Sequence, residues 1–413
     1  MAQGRPGAQR VLVVGAGMAG LRSAEGLRAH GYADEILVVG DESWAPYNRP
    51  PLSKEALHGD LSHDKLVFRV RANASDVTWR HGVSATSADL AARTVTLSDG
   101  ETMSYDALVA ATGVSARRLQ IPGPPQTAAG RRHVIRTLDD AIALRAALVP
   151  GAKVVVLGAG FIGCEVAATA VKLGCEVHCV AIDRFPMVRP LGPGLAAELQ
   201  RRHEERGVVF HLGVGVAEFV GDHYVTDVVL TDGTRLETDV VLEALGSHCN
   251  VGWLEGNGLD LADGVRTDTA LRPWRRAGAL DGVAVVGDLA RFPNLRFDER
   301  PLRVEHWSIP TDTGRRAGAV LAAYLSGEGY DDVVSATWEP LPSFWSDQFD
   351  IRLQSYGMPG LADPDGIRVL EGDLHDECVV GYHRGDELVG VVGVGMLRVV
   401  NTYRDRVGHP TPA

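Results

Sequence analysis

The sequence predicts an α/β fold in which one strand–turn–helix–strand plan occurs twice and a small α+β segment follows. The first copy spans residues 10–40 and reads RVLVV, the turn GAGMAG, a stretch with helical spacing and then EILVVG. The second copy spans residues 153–183 and reads KVVVL, GAGFIG, CEVAATAVKLG and EVHCVAI. Each copy has the length of a βαβ motif, so we expect parallel strands joined by a right-handed crossover.

The repetition continues downstream of both copies. Residues 95–113 (VTLSDGETMSYDALVAATG) resemble residues 228–246 (VVLTDGTRLETDVVLEALG). Both have a strand, a D-G hairpin turn, a second strand and an apolar run that ends in Gly. A further strand in residues 282–292, GVAVVGDLARF, is expected to return to the first sheet. The two halves are therefore predicted to be related domains, with the second inserted into the first.

The expected domain boundaries follow from this plan. The first domain should consist of residues 1–115 and 243–330, with the second domain at 116–242 between them. The tail differs from both, because aromatic residues are followed there by short Val/Gly-rich strands. We expect residues 331–413 to form a separate, small α+β domain.

Composition and charge exclude several classes of protein. Of the 413 residues, 45% are hydrophobic and 23% are charged, and no apolar run has membrane-spanning length. The net charge of −12 argues against a nucleic-acid partner, which would favour a basic surface. The N-terminal MAQGRPGAQR lacks the apolar region of a signal peptide, so we expect a cytoplasmic protein. The histidines lack zinc-like spacing, so no metal is expected.

The two glycine-rich turns carry the clearest functional pattern. In each G-x-G-x-x-G motif, the first glycine permits a tight turn, the second lets the backbone approach a pyrophosphate and the third allows close helix–strand packing. The N-terminus of the following helix adds partial positive charge. One such motif is weak evidence, but two in strand–helix context predict two Rossmann-like dinucleotide-binding sites. Their glycines are Gly15, Gly17 and Gly20, and Gly158, Gly160 and Gly163.

The residues after each copy bear on which dinucleotides bind. Asp41 and Glu42 follow the first copy, where a carboxylate would bind an adenosine ribose, and we favour Asp41. After the second copy, Ala181 stands where the acid is expected, and Asp183 and Arg184 follow it. A missing acid with a nearby Arg is one way to accommodate a 2′-phosphate. The choice between NADH and NADPH is therefore left open.

Two dinucleotide sites in one chain favour hydride transfer from a nicotinamide to a flavin. Asp288 fits the flavin side, because a carboxylate at the end of a buried strand can accept hydrogen bonds from ribityl hydroxyls, and Gly287 lets the backbone come close. A disulfide or CoA-disulfide reductase has the same fold but needs a redox cysteine near the flavin, usually within residues 40–60. None of the five cysteines lies there or forms a C-x-x-C pair: Cys164, Cys175, Cys179, Cys249 and Cys378.

Residues 45–54, APYNRPPLSK, form a stiff basic segment. Its prolines fix φ and remove N–H donors, so we expect neither a helix nor a central strand there. Ser53 could cap a following helix and place Lys54 in its first turn. A cation there opposes the helix dipole, so either Lys54 is incidental to a solvated loop or another interaction stabilises it.

Taken together, these motifs resemble a family: the FAD-dependent, NADH-oxidising ferredoxin reductases that serve bacterial haem monooxygenases and aromatic dioxygenases. The resemblance covers essentially the whole chain. It rests on GAGMAG, PYNRPPLSK, YDALVAATG, GAGFIGCEVAA, VVGDLARF, VEHW and FWSDQFDIRLQSYG. It implies a glutathione-reductase-type fold with an FAD domain in two pieces, an inserted NAD domain and a C-terminal interface domain. It also implies electron transfer from NAD(P)H through FAD to a small iron–sulfur ferredoxin.

The resemblance also implies roles for residues at matching positions. Lys54 would lie beside the reactive nitrogen of the flavin and pair with Glu165, the acid of the second glycine motif. With the residues found above, the expected FAD contacts are Gly15, Gly17, Ala19, Gly20, Asp41, Arg49, Lys54, Ala85, Thr112, Gly113, Arg136, Asp288 and Trp307. The expected NAD(P) contacts are Gly158, Gly160, Ile162, Gly163, Glu165, Asp183 and Arg184.

Some positions depart from the family, and other functions fit the motifs. Related chains usually carry an acid at position 181, and often an Ala and a Gln where this chain has Pro310 and Thr313. We therefore expect the helix after Trp307 to begin differently. A reductase of quinones or small radicals fits almost equally well. An apoptosis-inducing-factor-like flavoprotein that acts as a binding module is a further alternative, although the acidic charge disfavours nucleic acid.

Overall fold

The computed structural model describes residues 9–409 of the chain. Residues 1–8, which form most of the segment that predicts the cellular location, lie outside the described residues. The first of two units consists of the chain up to Asn48, Val67–Ser115 and His248–Ser343. The second unit consists of Arg49–Leu66, Ala116–Ser247 and the chain from Phe344 onward. The four domain segments expected above stay a prediction.

A five-stranded parallel sheet forms the core of the first unit. Its central strand is Arg10–Val14, in which Val11, Leu12 and Val13 are fully buried. Such continuous apolar runs are typical of parallel strands that are covered on both faces. The strand order is Val283–Val285, Ala107–Ala110, Arg10–Val14, Glu35–Gly40 and Thr78–His81. The predicted return of the chain to the first sheet is therefore confirmed at Val283–Val285.

The second unit contains a parallel sheet of the same kind. Its strand order is Val208–Leu212, Glu176–Ala181, Lys153–Leu157, Val240–Glu243 and Arg132–His133. In both sheets the strand before the glycine turn is central. It pairs on one side with the strand that follows the helix and on the other with the strand that follows the D-G hairpin. The structure thus confirms that one plan occurs twice.

Both predicted D-G turns close antiparallel hairpins. Thr94–Leu97 pairs with Thr102–Ser104, and Asp227–Leu230 pairs with Arg235–Glu237. The turn glycines, Gly100 and Gly233, both have a φ of 88°, in the left-handed region that glycine adopts at little cost. Each hairpin gains a third antiparallel strand, which is Ala85–Asp89 in the first unit and Val216–Val220 in the second.

An antiparallel sheet forms the C-terminal part of the second unit. Its strand order is Ser343–Gln348, Ile351–Gly357, Glu387–Val394, Cys378–Arg384 and Ile367–Gly372. Along the first strand the side chains of Phe344, Ser346 and Gln348 are buried, as expected for alternate residues that share one face. Two polar side chains of this strand are therefore in the interior.

The remaining elements surround these sheets. The helices of the first unit are Met18–Ala29, Ser308–Ser326 and Tyr330–Ser335. Those of the second unit are Glu55–His58, His63–Leu66, Leu138–Ala147, Phe161–Lys172, Val188–Glu204 and Leu397–Thr402. The short strands are Val114–Ala116, Ser247–Cys249, Val265–Arg266, Trp274–Arg275, Gly278–Ala279, Ala290–Asn294 and Asp298–Arg303. Within residues 9–409, no helix combines the length and the apolarity needed to cross a membrane.

Three glycines allow helices Met18–Ala29 and Ser308–Ser326 to pack at backbone contact. A Cβ atom at Gly318 would lie 2.5 Å from the carbonyl carbon of Gly26, and a Cβ at Gly314 would lie 2.9 Å from the Ala19 carbonyl oxygen. Those neighbours are backbone atoms, which cannot rotate away as a side chain can. The close contact holds the helix that follows the first glycine turn against the helix that follows Trp307.

Replacing Gly318 by Ala should lower the free energy of unfolding by about 1–3 kcal/mol, the usual cost of adding a methyl group to a packed interior. Gly194→Ala is the matched control, because a Cβ at this helical glycine has only a methyl carbon of Leu374 as a neighbour, 3.9 Å away. The control should be neutral, or more stable by up to about 1 kcal/mol from helix propensity. Denaturant unfolding of both variants tests this, and a Gly318→Ala protein as stable as the wild type would contradict the proposed packing.

Candidate functional site

The first glycine turn, Gly15–Gly20, joins strand Arg10–Val14 to helix Met18–Ala29. Gly15 has a φ of 119°, and a Cβ there would lie 2.2 Å from the carbonyl oxygen of Ala111. A Cβ at Gly20 would lie 2.0 Å from the carbonyl oxygen of Gly15. At Gly17, in contrast, a Cβ would meet no atom within 4 Å. The first and third glycines are thus required by packing, whereas the second leaves open space above the turn.

The second glycine turn, Gly158–Gly163, has the same geometry. Gly158 has a φ of 102°, and a Cβ there would lie 2.3 Å from the carbonyl oxygen of Ala244. A Cβ at Gly163 would lie 1.9 Å from the carbonyl oxygen of Gly158. At Gly160 a Cβ would again meet no atom within 4 Å. The helices that follow both turns have no side-chain cap and no acidic residue in the first turn. Both turns therefore fit the pyrophosphate of a dinucleotide, which would lie at the helix N-terminus.

Asp41 lies next to the first glycine turn. It follows strand Glu35–Gly40, and a Cβ at Gly40 would lie 2.4 Å from the Cβ of Ala16, so the strand end and the turn are in contact. Asp41 is exposed, while the Glu42 carboxylate accepts a 2.6 Å hydrogen bond from the Tyr47 hydroxyl. The exposed carboxylate of Asp41 is thus more accessible to a ribose than that of Glu42, and its role as the ribose ligand stays a prediction.

Asp288 is brought to the same turn from the far end of the chain. The preceding residue, Gly287, has a φ of 67°, and a Cβ there would lie 3.0 Å from the Cβ of Ala19. The N–H of Gly287 donates to the hydroxyl of Thr313 at 2.9 Å. Thr313, which departs from the family pattern, therefore ties helix Ser308–Ser326 to the strand end that carries Asp288. That helix begins directly after Trp307 and includes Pro310 in its first turn.

Three other expected FAD contacts lie around the first unit's strand ends. Thr112 follows the residue that crowds Gly15, and its hydroxyl donates to the Asn250 carbonyl oxygen at 2.8 Å. Gly113 has a φ of 60°. Trp307 is 38% exposed, and its indole N–H donates to the side chain of Asn48 at 3.3 Å.

Ala85 begins the antiparallel strand Ala85–Asp89. Two residues before it, the N–H of Val83 donates to the Gly40 carbonyl oxygen at 2.8 Å. This bond connects the start of the strand to the residue that precedes Asp41. Ala85 is thus connected to the first glycine turn by way of Gly40, which Val83 bonds and which contacts Ala16 in the turn.

Arg49 and Arg136 lie together in the second unit. The guanidinium of Arg49 donates to the carbonyl oxygen of Arg136 at 2.8 Å. The N–H of Arg136 donates to the carboxylate of Asp140 at 3.1 Å, in the capping box of helix Leu138–Ala147. This bond places the Arg49 guanidinium against the backbone at Arg136.

Lys54 and Glu165 form a buried ion pair in the second unit. The Lys54 ammonium lies 2.8 Å from Glu165 Oε2, and the two side chains are only 7% and 3% exposed. The Ser53 hydroxyl donates to the same carboxylate oxygen at 2.5 Å, and the Ser346 hydroxyl donates to the other oxygen. The Lys54 ammonium also donates to the carbonyl oxygen of Pro50 at 3.3 Å, and such additional hydrogen bonds help to offset the cost of burying the two charges. The two serines fix the direction of the carboxylate and thereby the position of the ammonium.

The capping role predicted for Ser53 is wrong. Pro50–Ser53 forms a single 3-10 turn, and the short helix Glu55–His58 follows Lys54 without any side-chain cap. The segment runs neither as an α-helix nor as a central strand; prolines are tolerated at the start of this one turn because the missing N–H would have no partner there. The Ser53 hydroxyl instead bonds Glu165, 112 positions away in sequence. The ion pair with the Glu165 carboxylate is the interaction that stabilises the Lys54 ammonium.

Two residues of this network were not singled out from the sequence. Gln348 donates to the Ser346 hydroxyl at 2.9 Å and to the sulfur of Met187 at 3.3 Å, and both polar side chains are fully buried. They belong to the FWSDQ segment, which supported the family resemblance only as a motif. The alternation of apolar and polar residues in a predicted strand, S-F-W-S-D-Q, was the available indication that a serine and a glutamine share its buried face.

The expected coenzyme residues of the second unit lie on and beside the second glycine turn. Ile162 is in the first turn of helix Phe161–Lys172 and is 45% exposed. Asp183 follows strand Glu176–Ala181 and accepts a hydrogen bond from Arg189 at 3.1 Å. Arg184 is exposed, with its guanidinium carbon 5.8 Å from the ring centre of Phe185.

All five cysteines of the sequence lie within the described residues, and all are free thiols. Burial is the main cause that raises the pKa of each of them, to about 12 for Cys179 and about 11 for Cys378. A thiol acts as a nucleophile only as its thiolate, which a raised pKa suppresses. The raised pKa values therefore disfavour a cysteine nucleophile. Among residues 9–409, no three His, Cys, Asp or Glu side chains are grouped to hold a metal ion.

Comparison with known proteins covers nearly the whole chain. The family described as "Pyridine nucleotide-disulphide oxidoreductase" matches residues 9–313, and "Reductase C-terminal" matches residues 343–412. The ferredoxin–NAD(+) reductase component of the p-cumate 2,3-dioxygenase system of Pseudomonas putida is 34% identical, over 96% of this chain and 91% of that protein. Rhodocoxin reductase of Rhodococcus erythropolis is 33% identical, over 94% of this chain and 87% of that protein.

A solved structure agrees with these relatives. The crystal structure of the covalent putidaredoxin reductase–putidaredoxin complex superposes with a TM-score of 0.86 at 32% identity, over 96% of this chain and 93% of that chain. The predicted fold class is thereby confirmed. The chain therefore belongs to the pyridine nucleotide-disulphide oxidoreductase family and, within it, to the FAD-dependent ferredoxin reductases of bacterial oxygenase systems.

Proposed function

We propose that the chain is an FAD-dependent NAD(P)H:ferredoxin oxidoreductase, which transfers electrons from NAD(P)H through FAD to a small iron–sulfur ferredoxin that supplies a haem monooxygenase or a dioxygenase. The observation that carries the proposal is the pair of glycine turns, each open above its second glycine and each followed by an uncapped helix. The ferredoxin reductases that align along nearly the whole chain support it. Its place of action is proposed to be the cytoplasm.

The first unit supplies most of the groups that would hold FAD. We assign the first glycine turn to the pyrophosphate, Asp41 to a ribose and Asp288 to the ribityl chain, because the structure brings all three to one group of strand ends. When bound, FAD supplies the conversion from two-electron hydride chemistry to one-electron transfer. Residues 1–115 and 243–330 would form its domain, with Ala19, Ala85, Thr112, Gly113 and Trp307 as further contacts.

The second unit supplies the coenzyme site and a charged group for the reaction. Residues 116–242 would form the coenzyme domain and residues 331–413 the ferredoxin-facing domain. Arg49, Lys54 and Arg136, which also belong to this unit, are assigned as FAD contacts. Lys54 would supply a fixed positive charge to a reduced flavin, and Glu165 with its two serine donors keeps the ammonium in place. No protein nucleophile takes part.

The alternatives fit the structure less well. A disulfide reductase requires a reactive thiol, and burial raises the pKa of all five cysteines. A quinone or radical reductase would use the same two glycine turns, so only the electron acceptor distinguishes it. A flavoprotein that acts mainly as a binding module is disfavoured by the ferredoxin reductases that align along nearly the whole chain.

The choice of acceptor can be tested directly. The purified protein with bound FAD should reduce cytochrome c with NAD(P)H only when a [2Fe–2S] ferredoxin such as putidaredoxin is added. This rate should far exceed the rate of direct menadione reduction, because the proposed acceptor is an iron–sulfur protein. Ferricyanide, which needs no ferredoxin, controls for an intact flavin. Menadione reduction as fast as the ferredoxin-dependent rate would favour the small-molecule reductase instead.

Lys54→Met keeps the length of the side chain and removes its charge. We expect flavin reduction by NAD(P)H to slow by at least about tenfold in stopped-flow bleaching, since about 1.4 kcal/mol of lost charge stabilisation suffices for that factor. The FAD content should stay unchanged. The variant should also be less stable by about 3–5 kcal/mol, because the Glu165 carboxylate is left buried without its cation.

The control for this variant is Lys172→Met, in the same unit, where the ammonium is bonded to a backbone carbonyl at the surface. It should reduce its flavin at the wild-type rate. Adding Glu165→Gln to Lys54→Met removes the buried charge and should recover stability without recovering the rate. Wild-type bleaching kinetics in Lys54→Met would disprove the role assigned to this lysine.

A further inference from the structure

The strand that follows the second glycine turn ends without a carboxylate. Its last residue, Ala181, is buried, and Ile182 after it is 71% exposed. In dinucleotide-binding folds an acid at this strand end bonds the 2′-hydroxyl of the adenosine ribose, and its negative charge repels the 2′-phosphate of NADPH. Neither the hydrogen bond nor the repulsion is available at Ala181.

Asp183 does not take the place of that acid. Its Oδ1 accepts hydrogen bonds from two nitrogens of Arg189, at 3.1 and 3.3 Å. Its backbone carbonyl accepts from the N–H of Gly213 at 3.2 Å, which fixes the main chain two residues beyond the strand end. The only carboxylate of this segment is thus already paired with a cation.

The segment from Ile182 to Met187 is held against the second glycine turn. The N–H of Met187 donates to the carbonyl oxygen of Ala159, inside the turn, at 2.8 Å. The N–H of Gly158 donates to the Val180 carbonyl oxygen at 2.8 Å. These two bonds hold both ends of the segment, so Arg184, which lies on it, and Arg189, two residues after it, lie beside the place where a dinucleotide pyrophosphate would bind.

The charge on this loop is positive. Residues 181–189 contain two arginines, Arg184 and Arg189, and one acid, Asp183, which leaves one excess positive charge. Arg184 is exposed, and the Arg189 side chain is 74% exposed even with its ion pair. Only Nε and one terminal nitrogen of Arg189 bond Asp183, so the guanidinium keeps further N–H donors and can bind a phosphate while it stays paired. A phosphate monoester at pH 7 carries close to two negative charges, which arginine binds in a bidentate manner.

We infer that the coenzyme site binds NADPH at least as tightly as NADH, with Arg184 and Arg189 as the specificity-determining residues for the 2′-phosphate. The inference rests on the proposed function, because it names the coenzyme of the same site. Because Ala181 has no carboxylate, the site does not select for the 2′-hydroxyl. The two arginines add contacts to the 2′-phosphate.

Calorimetric titration of the FAD-containing protein with NADP⁺ and with NAD⁺ tests the inference without turnover. NADP⁺ should bind at least as tightly as NAD⁺. Arg184→Ala and Arg189→Ala should each weaken NADP⁺ binding about tenfold, the usual effect of losing one charge-assisted contact, and change NAD⁺ binding less than about twofold. Ala181→Glu should reverse the preference. Arg235→Ala, which removes an exposed arginine paired with Asp227 on another strand, is the matched control and should change neither affinity.

The outcomes separate this inference from the proposed function. Tighter binding of NAD⁺ than of NADP⁺ in the wild type would overturn the inference and leave the reductase function intact. Equal weakening of both coenzymes by Arg184→Ala and Arg189→Ala would overturn the role of the two arginines. Binding as expected without any ferredoxin reduction would contradict the proposed function alone, and failure of either coenzyme to bind would overturn both.

Discussion

The fold of each parallel sheet depends on a steric constraint at its strand–helix turn. The backbone at the first glycine of the turn approaches a carbonyl group of the neighbouring strand, and the third glycine approaches the carbonyl of the first, at distances that exclude any Cβ. With these contacts the helix after each turn can start at the end of the central strand. The unpaired N–H groups of its first turn then face the same site. The second glycine is not constrained in this way: a Cβ at Gly17 or Gly160 would meet no atom within 4 Å, and we propose that this open space serves a ligand.

The Lys54–Glu165 pair adds a fixed charge to this scaffold. Glu165 is in the helix that follows the second glycine turn, and its carboxylate is held by Ser53 from the proline segment and by Ser346 from the C-terminal sheet. Three distant parts of the sequence thus meet on one carboxylate. Burying an ion pair in this way is costly compared with apolar packing, so its presence is better explained by reaction chemistry than by stability.

The sequence predicted those features that depend on local rules. Strand periodicity, glycine turns and the D-G hairpins were found because each occupies a few consecutive residues, and the return of Val283–Val285 to the first sheet followed from the repeated plan. The role of Ser53 was missed because the local rule for helix caps competes with a partner 112 positions away. Ser346 was missed for the same reason, since its carboxylate partner lies on another element and no short motif connects them.

The proposed function requires one chain to hold two adenine dinucleotides. Their stoichiometry is the most direct test: FAD is counted after release from the denatured, purified protein, and NADP⁺ and NAD⁺ are counted as bound at saturation by the native protein. We expect one FAD and one nicotinamide coenzyme per chain, in a yellow protein that is bleached by NAD(P)H. A protein that is purified without colour, and stays colourless after incubation with FAD, would contradict it.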